Sequence, residues 1–208
     1  MKKKMGWKWR VSLISVFASV IIPVHAAPPQ PCGLYIDANA GLPTFQNNNY
    51  PGDISYPNSR SGWNVNLGYR FIPYIAAEMG YTGYYGTRSY DLAINDPTTG
   101  NQAGLVKHYA VDFAGKFILP LGQSGGEVFV KLGASAVNAN TTVTDGTAAA
   151  NIDLNDNNKT AVGPYVGVGA NYFVIPGWAI TAQWARAQGN DRTSNGTLWS
   201  AGLLFAIT

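Results

Sequence analysis

The most regular feature of the sequence is an alternation of apolar and polar side chains with a period of two. Between Trp63 and Phe71, a run of nine residues, every odd position is apolar and every even position is polar or glycine. This period predicts a β-strand with two different faces, and the length of the run suits a tilted strand that crosses a membrane. The same pattern recurs at residues 34–40, 75–82, 109–117, 128–134, 165–172, 178–184 and 199–207.

The connections between these eight segments alternate in length. Three are short and carry turn residues: those around Ile72–Pro73, 120–126 and 175–177. The others are mostly longer and rich in Asn, Asp, Thr, Gly and Ser, at about 43–60, 84–104, 138–160 and 187–195. Short turns at one rim and long loops at the other are typical of bacterial outer-membrane barrels with an even number of strands. We therefore predict an all-β fold: a closed, eight-stranded antiparallel transmembrane β-barrel with short periplasmic turns and long extracellular loops.

Alternation alone does not distinguish this barrel from a secreted one, in which the apolar face points inward. The apolar face carries large side chains such as Met79 and Phe113, whereas the polar face is rich in Gly and Ala. Eight strands enclose a space that is only just filled by side chains, so the small residues suit the inside. We therefore expect the apolar face to contact lipid. Aromatic residues near the strand ends are expected to lie at the membrane interfaces: Trp63, Phe71, Tyr74, Trp178, Trp184 and Trp199.

This orientation directs polar and charged side chains into the lumen. Buried charges are costly unless they are paired, and an equal number of acids and bases predicts mutual neutralisation. Arg70, Lys116 and Lys131 would then serve acids such as Glu78 and Asp112. A structural network and a gated path for ions or water are both consistent with such residues. The predicted charge network is Asp37, Arg70, Glu78, Asp112, Lys116 and Lys131, and the uncharged lumen residues are Asn171, Thr181 and Gln183.

The first 26 residues have the layout of a secretory signal peptide. A basic start is followed by an apolar run from Val11 to Ile22, and Val24-His25-Ala26 resembles a cleavage site. We expect cleavage after Ala26, which leaves residues 27–208 as one barrel domain. Five of the fourteen basic residues lie in the leader and none of the eleven acids does, so nine basic and eleven acidic residues remain. The mature part is slightly acidic, and nucleic acid is not an expected partner.

Catalysis and metal binding are not expected from the side chains available. His108 is the one histidine after residue 26, and it stands beside Lys107 and Tyr109, with no serine or acid evidently placed to serve it. Three acids of one loop, Asp145, Asp153 and Asp156, lack the spacing of a calcium loop. Cys32 is the single cysteine and forms no internal disulfide. We therefore predict a protein that is not an enzyme and has no cofactor or metal.

The segment from Gly68 to Tyr81 closely resembles the transmembrane domain of the outer membrane protein A family, with Gly-Tyr, a short turn containing Pro-Tyr, and Glu-Met-Gly-Tyr. The segments at 116–120 and 131–133 are similar to that family's Lys-containing strand end and basic-Leu-Gly segment. The resemblance implies an eight-stranded barrel with a largely plugged, polar interior.

In that family an interior Glu and Lys form a salt-bridge gate with an Arg and a second acid. Glu78 and Lys116 match the first two, whereas Thr181 and Asn171 stand where the Arg and the second acid are expected. Such a gate is therefore in doubt. Larger members also carry a periplasmic peptidoglycan-binding domain, which we expect to be absent because the sequence ends at Thr208.

The expected function is that of a non-catalytic outer-membrane protein with a structural, envelope-integrity or surface-interaction role. A narrow porin-like channel for ions, water or small solutes is the alternative, and a lipid-modifying enzyme is a third. Expected partners are outer-membrane lipid and lipopolysaccharide, the barrel assembly machinery, periplasmic chaperones, and a host or surface ligand bound through the loops.

Overall fold

The barrel consists of eight long antiparallel strands, and two short strands and one short helix lie in the segments that connect them. The computed structural model describes residues 32–46, 53–55, 61–84, 92–122, 125–155, 157–190 and 193–207. The expected signal peptide lies outside these residues. The barrel strands are β1 (Gly33–Gln46), β3 (Gly62–Ile72), β4 (Ile75–Tyr84), β6 (Gln102–Pro120), β7 (Gly126–Val143), β8 (Asn157–Ile175), β9 (Trp178–Ala187) and β10 (Asn195–Ile207). The additional elements are β2 (Asp53–Ser55), β5 (Leu92–Asn95) and α1 (Gly146–Asn151).

The first and last strands close the barrel. β1 pairs with β10 in antiparallel register from Leu34 opposite Ile207 to Gln46 opposite Asn195. Every other barrel strand pairs with its neighbours along the chain. All eight segments with the two-residue period lie within barrel strands, so the predicted fold class is confirmed. No helix among the described residues is long and apolar enough to cross a membrane.

The two faces of the strands are segregated as the alternation predicts, with the charges inside and the large apolar side chains outside. In β3 buried and exposed residues alternate from Gly62 to Arg70. Phe113 is 65% exposed and Met79 is 55% exposed, whereas Arg70 and Lys116 are 0% and 1% exposed. This arrangement is the inverse of a water-soluble protein and leaves a continuous apolar surface for lipid.

Two apolar clusters fill the lumen at different heights. The inner plug lies next to the short turns, because Ile118 N–H donates to Tyr74 O and Phe173 N–H donates to Gly125 O. It comprises Tyr35, Ala76, Ile118, Phe129, Phe173, Ala179, Leu204 and Ala206. The outer plug lies towards the long loops and includes Ile94 of β5 and Ala148 and Ala149 of α1. Its other buried members are Tyr84, Ala103, Val106, Ala110, Ala114, Val137, Ala139, Leu154, Tyr165, Ala185, Ala187 and Leu198.

The long loops contain more regular structure than the sequence predicts. β6, β7 and β8 have 19, 18 and 19 residues, whereas β4 and β9 have 10 each. These strands extend into the segments 84–104 and 138–160, which the sequence predicts to be loops. β5 pairs with the extended part of β6, and β2 pairs with β5. The expected loop boundaries are therefore wrong, and three strands project beyond the rest of the barrel.

Candidate functional site

The centre of the lumen holds a network of charged side chains around Glu78. Glu78 Oε1 accepts hydrogen bonds from Lys116 Nζ at 2.8 Å and from the Tyr35 hydroxyl at 2.6 Å. Glu78 Oε2 lies 2.6 Å from Lys131 Nζ, so one carboxylate faces two ammonium groups. Lys131 Nζ also lies 4.0 Å from Asp37 Oδ2, which supplies a second negative charge. Four of the six predicted network residues are therefore brought together.

Aromatic rings support the two lysines from the side of the inner plug. Lys116 Nζ lies 4.2 Å from the centroid of the Phe129 ring and 5.0 Å from that of Tyr35. Lys131 Nζ lies 5.3 Å from the same Phe129 ring. The faces of aromatic rings attract cations, especially where water is excluded. Tyr35 and Phe129 therefore connect the charge network to the apolar cluster beneath it.

A chain of amide side chains extends the network towards the outer rim. Asp37 accepts hydrogen bonds from Asn39 Nδ2 at 2.8 Å and from Asn66 Nδ2 at 3.2 Å. Asn64 Oδ1 accepts from Asn66 Nδ2 at 2.5 Å and from Gln183 Nε2 at 3.1 Å. Gln183 Oε1 in turn accepts from Lys131 Nζ at 2.8 Å, which closes a ring through the network. These amides come from β1, β3 and β9, and the bond from Gln183 to Asn64 joins β9 to β3 through the lumen.

Arg70 belongs to a separate ion pair near the short turns. Its Nη2 lies 2.8 Å from Glu127 Oε1, and it also donates to the carbonyl oxygen of Pro73. Glu127 Oε2 accepts from Asn171 Nδ2 at 3.4 Å. The hypothesis that Arg70 serves acids such as Glu78 and Asp112 is therefore wrong, because its close acidic partner is Glu127. The signal was present in the sequence, because Glu127 is in phase with the inward-facing Phe129 and Lys131.

Asp112 lacks the close partners that surround Glu78. Its carboxylate sits against Gly80, where both oxygens lie 2.7 Å from the position that a Cβ would occupy. Its Oδ2 makes no hydrogen bond within the described part of the chain. With Glu127 included, the buried lumen residues of the described strands have four carboxylates, Asp37, Glu78, Asp112 and Glu127, against three bases. The expected equality of charges is therefore wrong, and Asp112 is the acid left over.

The remaining predicted lumen residues are buried but differ in their contacts. Gln183 joins the central network and Asn171 contacts Glu127, as described above. Thr181 is 0% exposed, and its hydroxyl has no hydrogen-bond partner among the described residues. His108 is 2% exposed and faces the lumen at the level of Tyr84, its cross-strand partner. Among the described residues no group of three or more His, Cys, Asp or Glu side chains is arranged to hold a metal ion.

The predicted interface aromatics all project from the barrel towards its surroundings. Phe71, Tyr74 and Trp178 lie at or beside the short turns, and Trp178 packs against Phe205 with ring centroids 4.6 Å apart. Towards the long loops, Trp184 and Trp199 pack at 6.4 Å. Trp63 stacks on Tyr81 at 5.3 Å, and Tyr81 stacks on Tyr109 at 5.7 Å, so aromatic groups stand at two heights on the outer surface.

Hydrogen bonds to Asp96 connect β5 and α1 above the outer plug. Asp96, Thr98, Thr99 and Asn151 together are called the polar clasp. Asp96, which follows β5, accepts hydrogen bonds from Asn151 Nδ2, Thr98 N–H and Thr99 Oγ1, each at 2.8 Å. These bonds, that from Asn151 foremost, lower the pKa of Asp96 from 3.8 to about 2. Asp145 caps the first turn of α1 by accepting from Thr147 and Ala148 N–H at 2.9 and 3.2 Å. The clasp joins two loops that lie 55 residues apart in the sequence.

The charge network lies between the two plugs. On β4 Glu78 stands between Ala76 of the inner plug and Tyr84 of the outer plug. On β9 Gln183 is bracketed in the same way by Ala179 and Ala185. The seven charged lumen side chains are between 0% and 3% exposed. Water therefore has almost no contact with any of them in this conformation.

Comparison with known proteins agrees with this architecture. Residues 29–205 match the model of the OmpA-like transmembrane domain. Neisserial surface protein A superimposes with a TM-score of 0.53 at 18% identity, over 84% of this chain and 97% of that one. OprG from Pseudomonas aeruginosa gives 0.54 at 12% identity, over 86% and 99%. The N-terminal β-barrel domain of Pseudomonas aeruginosa OprF gives 0.53 at 10% identity, over 83% and 97%.

At these identities the solved structures show a shared fold. The search of curated proteins finds no match. The matching family model and the outer-membrane barrels among the structural neighbours indicate a location in the bacterial outer membrane. Because the family model covers most of the sequence, the chain belongs to the family of OmpA-like transmembrane domains.

Proposed function

We propose that this protein is a non-conducting, non-catalytic outer-membrane barrel whose role is structural and whose contacts are made by its extracellular surface. The observation that carries the proposal is the burial of the lumen charges, each at most 3% exposed. A conducting pore needs charged or polar groups that ions can reach in passing. Here Glu78 and Asp37 neutralise Lys116 and Lys131, and apolar plugs lie above and below these four side chains.

Single-channel recording in planar bilayers tests the closed lumen. We expect no discrete conductance from the purified, folded protein, because an ion would have to displace the Glu78 pairs and cross both apolar clusters. Folding is checked in the same sample by the mobility shift between heated and unheated protein on a denaturing gel. Reproducible steps that change in size with Lys131→Ala would contradict the proposal and favour the narrow channel.

A lipid-modifying activity is opposed by the position of His108. Its side chain points into the lumen and is 2% exposed, so neither the outer surface nor the lipid face presents it to a substrate. A general base must come within hydrogen-bond reach of the group from which it takes a proton. Unchanged lipid A acylation after overexpression is the expected result, and altered acylation would contradict this part of the proposal.

The proposed partners follow from the two exposed regions. The exposed apolar side chains on the outer face of the barrel, such as Met79 and Phe113, form an apolar belt. This belt would contact lipid and, in the outer leaflet, lipopolysaccharide, with the Trp63–Tyr81–Tyr109 stack close to the headgroups. Insertion would depend on periplasmic chaperones and the barrel assembly machinery. A host or surface ligand would meet the projecting strands and the clasped loops, since these carry the polar surface outside the belt.

A further inference from the structure

The projecting part of the barrel ends in a sheet edge on β8. β8 pairs with β7 as far as Asn157, which lies opposite Thr141. On its other side β8 pairs with β9 only as far as Tyr165, opposite Ala187. One further backbone bond follows, from Gln188 N–H to Pro164 O. Residues 157–163 therefore have a sheet neighbour on one side only within the described structure.

The end of this pairing has a local cause. Pro164 O accepts a hydrogen bond from Gln188 N–H, but Pro164 has no N–H and so cannot donate one to Gln188 O. A Cβ on Gly163 would point inward, because Ala161 and Tyr165, two residues away on either side, are both buried. Gln188 O lies 2.2 Å from the position that this Cβ would occupy. The chain after β9 therefore crosses Gly163 towards the lumen and does not continue along β8.

The direction of the free backbone groups follows from the bond at Pro164. In an antiparallel strand the N–H and C=O of one residue point to the same side, and successive residues alternate. Because Pro164 O points towards β9, the groups of Val162, Thr160 and Asn158 point to the same, unpaired side. The edge offers three N–H donors and three C=O acceptors at the spacing of a β-strand.

The opposite edge of the same projection shows what such an edge can bind. There β5 pairs with β6 from Leu92 opposite Val106 to Asn95 opposite Gln102, and β2 pairs with β5. Two extended segments of this chain have thus added to the sheet on the β6 side. The projecting sheet has the order β2-β5-β6-β7-β8, and β8 is its last strand.

We propose that residues 157–163 of β8 bind an extended peptide segment of a partner protein, which adds to the projecting sheet as its next strand. Main-chain hydrogen bonds supply affinity in this mode, and alternate side chains supply specificity. Lys159 is the only charged residue in this segment and is exposed, which favours an incoming strand with an acidic side chain on the same face. The proposal concerns the outer surface and does not depend on whether the lumen conducts.

A second copy of this chain fits the edge less well. Two barrels in one membrane stand in the same orientation, so a two-fold axis between them runs along the membrane normal. Such an axis would bring the two β8 strands together in parallel. Parallel pairs are slightly less stable per residue than antiparallel ones, and a free peptide can choose its direction. The peptide is therefore the occupant to test.

The experiment uses the full-length protein folded in detergent micelles and a fluorescein-labelled synthetic peptide of alternating Thr and Val with one central Glu, about eight residues long. Fluorescence anisotropy measures binding, and amide hydrogen exchange reports on Asn158, Thr160 and Val162. Thr160→Pro removes a donor that points to the free side, so it spares the bonds to β7. Thr160→Val is the matched control, since both variants lose the hydroxyl bond to Asn138 Oδ1.

We expect the peptide to bind and to slow exchange at the three amides. Thr160→Pro should weaken binding about tenfold or more, whereas Thr160→Val should leave it within about twofold. Lys159→Glu should weaken binding of this peptide and strengthen binding of a version with Lys in place of Glu. No binding to the wild type, or equal binding to the Pro and Val variants, would overturn the proposal. Self-association that Thr160→Pro abolishes would assign the edge to a second copy and overturn the peptide as occupant.

Discussion

Glu78 is the residue on which most of the buried charge depends. Its two oxygens face Lys116 and Lys131 at 2.8 and 2.6 Å, and all three side chains are 1% exposed. A buried charge that loses its partner keeps the cost of desolvation without the attraction that offset it. Removing Glu78 would leave Lys116 without its carboxylate and Lys131 with only the more distant Asp37, at 4.0 Å. Removing Asp112 would take away the one carboxylate that exceeds the number of bases.

This difference yields a prediction about two isosteric substitutions in the lumen. Glu78→Gln should lower the free energy of unfolding by about 3–5 kcal/mol, the usual cost of breaking a buried pair. Asp112→Asn, also buried and also losing one negative charge, should leave stability unchanged or raise it. Urea unfolding in lipid vesicles, followed by tryptophan fluorescence, measures both, with the exposed Asp153→Asn as the surface control. Equal losses for the two lumen variants would mean that Asp112 has a partner as close as those of Glu78.

At this scale the sequence predicts which side chains face inward but not which of them pair. The two-residue period places Asp37, Glu78, Lys116 and Lys131 in the lumen, because the period is a property of each strand taken alone. The pairing of Arg70 with Glu127 joins strands β3 and β7, 57 residues apart, and depends on the stagger of the closed barrel. That stagger is set by the register of all eight strands together, and no single segment contains it.

At the scale of the element, a change of environment along each long strand explains why the sequence pattern predicts loop boundaries that differ from the observed ones. Within the membrane β7 has apolar residues outside, such as Val130 and Leu132, and polar residues inside. Beyond the membrane the order is reversed: Val137 and Ala139 are buried, while Asn140 is exposed. The apolar face must contact lipid in the first part and the outer plug in the second. In a strand that leaves the membrane, the apolar side chains therefore move from the outward positions to the inward ones. A sequence pattern that requires apolar residues at the same alternate positions throughout ends the strand too early.

The six-residue helix α1 is too short to be stable alone, so it depends on contacts. Its alanines Ala148 and Ala149 are buried in the outer plug, Asp145 caps its start, and Asn151 at its end binds Asp96. The stability of the clasp depends on the negative charge of Asp96, because the carboxylate accepts all three hydrogen bonds. The sequence marks this region only as rich in Asn, Asp and Thr, and the partners become visible only in the fold.

The clasp predicts a defined response to acid. The folded pKa of Asp96, about 2, is below its ordinary value of 3.8, so its stabilising effect is complete above pH 4 or so and is lost as the pH falls through 2. Asn151→Ala should shift the pKa upwards, since the bond from Asn151 is its largest cause, and should speed amide exchange in α1. Carboxyl NMR titration of labelled aspartate in micelles measures the pKa, with the exposed Asn155→Ala as control. An ordinary pKa for Asp96 in the wild type would refute the clasp.

At the scale of the whole molecule, the fold is largely predictable from the sequence while the role is not. A closed barrel is one of two ways in which a chain can satisfy its backbone in lipid, so the two-residue period and the alternating connections are enough to indicate it. The closure of the lumen depends on how side chains from all eight strands fill one space. The free edge of β8 depends on a difference in length between neighbouring strands. Neither the closure of the lumen nor the free edge of β8 can therefore be predicted from the residues of a single segment.

The orientation of the whole barrel makes one prediction that compares two exposed apolar residues. Phe113 is 65% exposed in the middle of the apolar belt, and Val162 is 76% exposed on the projecting part of β8. In water the two positions would tolerate a charge equally well. In a bilayer Phe113→Lys should cost about 2–4 kcal/mol of folding free energy, because the ammonium group must enter hydrocarbon, whereas Val162→Lys should cost almost nothing. Reversible unfolding in vesicles measures both, with Phe113→Ala and Val162→Ala to subtract the loss of the side chain itself. A similar cost at the two sites would place the projection inside the membrane, and no cost at Phe113 would mean that the large apolar face does not contact lipid.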